Sequence, residues 1–119
     1  GVRQAIETEA CSIFLLDPST RQFVRMATDG LKLNFPGEIR LKIGEGLVGL
    51  VAEREEPINL DKAQHHPNFS YHPEIGEEKF NAFLGVPIIY QGTLLGVIVV
   101  QQQNERKFDE SEEAFLVTI

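Results

Sequence analysis

One cysteine stands among the 119 residues, so no disulfide can close within the chain. A domain of this size must then be held by its apolar core, as proteins of a reducing compartment usually are. That cysteine, Cys11, lies inside an apolar run and reads as a small core residue rather than a reactive thiol. No apolar stretch approaches the roughly 18 residues of a membrane-spanning helix. The opening residues GVRQAIETEA are polar, unlike a secretory leader. Positive charge is scarce: 11 Lys and Arg face 18 Asp and Glu, for a net charge of −7. Without a basic stripe, nucleic acid is not an expected partner. The acidic clusters EREE (53–56), EIGEE (74–78) and DESEE (109–113) read as solvated surface. What remains is a cytoplasmic globular domain, 42% hydrophobic and 24% charged.

What is present is mostly strand pattern. Residues 10–16, ACSIFLL, form a strand that DPST stops, and QFVRMAT (22–28) is its hairpin partner. IRLKI (39–43) alternates, with Ile39, Leu41 and Ile43 on one side and Arg40 and Lys42 on the other. Residues 47–55 place Leu47, Leu50, Val51 and Arg54 at helical spacing, and Pro57 ends that helix. INL (58–60) is a short extended piece. The segment 61–81 is long and irregular, holds all three histidines, and has room for a short helix near 74–80. AFLGVPIIYQGTLLGVIVVQQQ (82–103) is an antiparallel hairpin turning at Gln91-Gly92. Its second arm is apolar at consecutive positions and should be covered on both faces. Asp109 with Glu112 makes a capping box for a last helix. A further helix ends near residue 8, with Val2, Ala5 and Ile6 on one face, and both ends look cut from a longer protein.

Between strand and helix lies IGEGLVG, which contains Gly44-x-Gly46-x-x-Gly49. That spacing is a dinucleotide fingerprint when a buried parallel strand precedes it. Here the preceding strand exposes Arg40 and Lys42, the helix is barely two turns, and a hairpin follows instead of a crossover. The glycines are therefore read as a tight turn: Gly44 and Gly46 supply positive φ, and Gly49 lets the helix lie close on the sheet. His65, His66 and His72 sit in a proline-broken segment, where turn formation explains His66-Pro67 and His72-Pro73 better than a metal site. No metal or other cofactor is expected.

The combination ACSIFLLD, IGEGLVGLVAEREEPINLDKA, FLGVPIIYQGTLLGVIVV and FDESEEAFL resembles the GAF domain family over nearly the whole chain. EPINLDKAQHHPNFSYHPEIGEEKFNAFLGVPII further resembles the GAF domains found at the N-terminus of nitrogen-branch phosphoenolpyruvate-protein phosphotransferases. The resemblance implies an α/β (α+β) domain with an antiparallel sheet of five or six strands. Terminal helices cover one face and a lidded pocket lies on the other. It also implies a sensor of nitrogen status that is not itself an enzyme, with glutamine or 2-oxoglutarate as effector. Its output would reach phosphotransfer domains downstream in the same chain. By this likeness the pocket takes Ser12 and Phe14 from the first strand, Gly85, Pro87 and Gln101 from the hairpin, and His65, Phe69, Tyr71 and Phe80 from the lid. Small Gly85 would leave room for the ligand, and Gln101 can offer an amide. The opposing reading is that Phe14, Phe69 and Phe80 form a second small core. The other role the family implies is dimerisation, two copies pairing through their terminal helices. The apolar stripe Phe115, Leu116 and Ile119, with Val2 and Ile6, would make that contact, or equally be just the cover of the sheet within one domain. Asn104, Lys107, Phe108, Asp109 and Glu110 follow the order seen in cyclic-nucleotide-binding relatives. They are compressed into a helix start, so capping accounts for them and cyclic nucleotide binding is not carried over.

Overall fold

A computed structural model of the protein describes residues 9–29, 39–69 and 79–118. The expected helix near residue 8 and the short helix near 74–80, apart from its last two residues, lie outside them. The chain runs β1 (Ala10–Asp17), β2 (Gln22–Asp29), β3 (Arg40–Lys42), α1 (Gly46–Arg54), β4 (Ile58–Leu60), a 3-10 turn (Ala63–His65), β5 (Ala82–Tyr90), β6 (Thr93–Gln102) and α2 (Glu110–Val117). The strands form one six-stranded sheet in the order β3-β2-β1-β6-β5-β4. Every neighbouring pair is antiparallel.

Period-two alternation divides the sheet into two faces. On β1, Ala10, Ser12 and Phe14 are at most 2% exposed, whereas Leu15 is 39% exposed. Register carries this division across the strands: Phe14 lies opposite Val97, Ser12 opposite Val99 and Ala10 opposite Gln101. The first face packs Phe14, Phe23, Leu41, Val97 and Val99 against Leu47, Val48, Leu50 and Val51 of α1. The second packs Leu84, Val86, Ile98 and Val100 against Phe108 and Leu116, from α2 and the segment before it. A sheet with a layer on each side needs a central strand apolar on both, and residues 96–100 of β6 are all buried.

Two side chains depart from the expected pattern for local reasons. Ile43 is 40% exposed although Ile39 and Leu41 are buried. The β2–β3 ladder ends at Lys42, and the chain turns there, Glu45 N–H donating to the Lys42 carbonyl at 3.0 Å. Leu95 is 43% exposed because the register shifts: Ile88 opposes Gly96 and Ile89 opposes Leu94, so Leu95 has no cross-strand partner.

The glycine-rich stretch is a turn, as its context implies. Gly44 and Gly46 have φ of +87° and +66°. The Gly44 N–H donates to the Gly49 carbonyl at 2.9 Å, closing the turn on the start of α1. A Cβ on Gly49 would stand 2.6 Å from the Lys42 carbonyl oxygen, so the close approach is to the end of β3 and the turn itself. An all-antiparallel sheet offers no parallel crossover for a dinucleotide. At its other end α1 stops with Glu55 in the left-handed region, φ +52°, two residues before Pro57.

Candidate ligand-binding face

Rows of side chains on the first face can be read directly from the ladder. One row runs Arg25, Phe14, Val97 and Pro87 across β2, β1, β6 and β5. The next holds Ser12, Val99 and Gly85, and a third holds Ala10, Gln101 and Phe83. The sheet thus brings Ser12, Phe14, Gly85, Pro87 and Gln101 onto one face. Two of them are buried polar groups, Ser12 at 2% and Gln101 at 4% exposure. The Gln101 side chain has no hydrogen bond among the described residues, although its carbonyl accepts the Glu9 N–H at 3.1 Å. That leaves the amide able to bond a polar group brought to this face.

The connecting segment contributes unevenly. Phe80 is 1% exposed and packs against Ala10, beside the Gln101 row. Phe69 is partly buried against the α1 side of the core. His65 stands exposed in the 3-10 turn. Tyr71 lies outside the described residues. His66 is a turn former, its Nδ1 accepting the Asn68 N–H at 3.0 Å. The room expected over Gly85 is filled: a Cβ there would meet the Phe83 ring and Val51 Cγ2 at 2.9 Å. Of the face, this leaves the part bordered by Ser12, Gln101 and β2 as the candidate.

Arg25 is on that border and was not among the residues picked out by pattern. Its register partner is Phe14, and the β1–β2 ladder shifts between Ile13 and Phe14, which leaves Met26 unpaired and 61% exposed. Arg25 Nη1 is buried with no hydrogen-bond partner. The signal in the sequence was an arginine two positions from Phe23 on a half-buried strand, hence on the same face.

On the opposite face lies a cleft of about 550 Å³. Ile13, Val86, Ile88, Ile98, Leu116 and Val117 line it, and it extends over the β5 edge to Glu55, Pro57 and Pro87. β4 pairs with Phe83, Leu84 and Gly85, so among the described residues β5 beyond Gly85 has no strand partner on that side. Pro87 alone of the described candidate residues touches this cleft.

The sequence pattern of the GAF domain family matches residues 1–119. The chain belongs to the GAF domain family. It is similar to the GAF domain of a phosphoenolpyruvate-protein phosphotransferase from Coxiella burnetii, at 52% identity and a TM-score of 0.91, covering 98% of this chain and 70% of that one. The corresponding domain from Acinetobacter is 41% identical with a TM-score of 0.85, covering 98% and 68%. A phosphoenolpyruvate-dependent phosphotransferase system protein of Escherichia coli K12 is 54% identical over 115 residues, 97% of this chain. The chain spans only 15% of that relative's length. A free methionine-R-sulfoxide reductase from Neisseria meningitidis, at 18% identity and a TM-score of 0.79, shares the fold alone. Among the described residues of this GAF domain, no helix is long and apolar enough to cross a membrane.

Proposed function

We propose that this GAF domain is the regulatory small-molecule sensor of a phosphoenolpyruvate-protein phosphotransferase. It adjusts the autophosphorylation of phosphotransfer domains in the same chain to nitrogen status, in the cytoplasm, with glutamine or 2-oxoglutarate as effector. The observation that carries this reading is Gln101: a nearly buried residue whose side-chain amide has no hydrogen bond among the described residues, on the same sheet face as Ser12, Phe14, Val97 and Val99. Few polar groups on an apolar wall are what a metabolite site requires. Similarity to GAF domains of phosphotransferases supports the parent activity. Calorimetry of the full-length protein against glutamine, 2-oxoglutarate and cyclic nucleotides tests it. One of the first two should bind at millimolar concentration or tighter, and Gln101→Ala should weaken it about tenfold, the worth of one good hydrogen bond. If none binds at millimolar concentration, the sensing role fails.

A second reading, a ligand-free module that dimerises and relays signals through its helices, is favoured by the apolar cleft. Leu95, Tyr90 and Val117 are 43%, 63% and 58% exposed at its rim. Sedimentation velocity decides it: a dimer that Leu95→Glu converts to monomer supports relay, and a monomer at all concentrations removes it.

A further inference from the structure

Every cationic side chain on the described strands except one points away from the candidate face. Arg40 and Lys42 pair with Val24 and Gln22, on the opposite side from Phe23, and both are exposed. Arg40 also lies 3.5 Å from the Asp17 carboxylate. Arg25 is the exception, sharing its face with Phe14 and Phe23. Its backbone is fixed by the ladder to β1 and by an N–H to the Ile39 carbonyl at 3.1 Å. Its Nη1 has lost water and gained no acceptor. A buried donor in that state works against folding, and a charged one more so. Such a group persists where something outside the chain completes it.

We propose that Arg25 is the anion-recognition residue of this face, its guanidinium receiving the carboxylate of a small amino acid or organic acid. The inference rests on the sensing role and names the residue that receives the effector's carboxylate. One guanidinium supplies one charge, which a carboxylate balances and a phosphate, near −2, would overfill. The planar fork also matches a carboxylate's two oxygens. Arg25 and Gln101 stand at two corners of the face. Their Cα atoms lie two strands and four residues apart, about 16 Å by ideal sheet spacing. The row between them holds Ser12 and Val99, both buried. Arg25 takes the charged end of the ligand and the Gln101 amide the neutral polar end.

Three measurements on the full-length protein test this. The first is ligand-free melting of Arg25→Gln and Arg25→Met. Both should melt at or above the wild-type temperature, because they remove a buried donor that has no acceptor; a fall of several degrees would mark a structural arginine and overturn the proposal. The second follows the Arg25 guanidinium by NMR while acetate or inorganic phosphate is added. Acetate should shift it saturably; no shift, or tighter saturation by phosphate, overturns the carboxylate assignment. The third compares glutamine, 2-oxoglutarate and L-glutaminamide, which lacks the carboxylate. A binding metabolite should lose about 10- to 100-fold in affinity in Arg25→Gln, as expected for a charge-assisted pair. The glutaminamide should bind both proteins equally weakly. If a metabolite binds and Arg25→Gln leaves its affinity unchanged, Arg25 is excluded while sensing stands. If acetate titrates Arg25 and no metabolite binds, the sensing role fails and the anion site stands.

Discussion

Asn59 and Phe108 are 49 residues apart in the chain and exchange two hydrogen bonds. Asn59 Nδ2 donates to the Phe108 carbonyl at 2.7 Å, and Asn59 Oδ1 accepts the Phe108 N–H at 3.1 Å. Lys107 Nζ adds a bond to the Asn59 carbonyl at 3.0 Å. One side-chain amide thus mimics a strand partner and ties β4, which follows α1, to the segment that enters α2. The Phe108 ring beside it is 4% exposed in the second core. Asn59→Ala should cost about 2–3 kcal/mol, two part-buried hydrogen bonds plus the backbone groups left unpaired. Asn59→Asp keeps the acceptor and loses the donor, so it should fall between. Urea denaturation checks both, and a loss under 1 kcal/mol for the alanine variant would show that water replaces the clamp.

Gly49→Ala should be among the most damaging small substitutions. The added methyl would meet the Lys42 carbonyl at 2.6 Å and Gly44 backbone atoms at 2.9 Å, neither of which can swing aside. Overpacking of this kind costs about 3 kcal/mol. Thermal melting reads it directly. An alanine variant as stable as wild type would mean the turn can open without loss.

The capping box at α2 predicts a smaller effect. Asp109 Oδ1 accepts the Glu112 N–H at 2.8 Å, and Glu112 Oε1 accepts the Asp109 N–H at 2.9 Å while pairing with Arg106. Asp109→Ala should cost about 1 kcal/mol. Hydrogen exchange should rise in the first turn of α2 and stay unchanged in β5, since the apolar anchor Leu116 lies at the other end of the helix.

Acid should loosen the β1–β2 turn late. Hydrogen bonds from the Ser19 hydroxyl and N–H, at 2.8 Å and 3.0 Å, hold the Asp17 carboxyl below its ordinary 3.8, with help from Arg40. A depressed value means the stabilisation is complete above 3.8 and is lost as pH falls through the lower folded value. Carboxyl NMR titration should place Asp17 under 3.8, and Ser19→Ala should move it upward. A midpoint at or above 3.8 in the wild type contradicts the turn geometry.

Much of this domain was determined by sequence alone. Alternation in 10–16 and 39–43, the Gln91-Gly92 hairpin, the Asp109 capping box and the glycine turn are local signals. Each depends on residues within a few positions, and each appears in the structure where its pattern places it, save Ile43 at the end of its strand. Tertiary structure decided what needed a neighbour from far along the chain. Whether Gly85 leaves a space depends on the Phe83 ring and on Val51 of α1, and no period in the sequence encodes that contact. Leu95 reaches solvent because one register shift removes its partner, and Ile43 because the β2–β3 ladder stops one residue earlier. Arg25 was legible only as a charged residue on a half-apolar strand. Its significance comes from pairing with Phe14 across a bulge, which puts it on the Phe14 face with its Nη1 buried. Local pattern assigns a side chain to one face of its own strand; only the assembled sheet decides what that face meets.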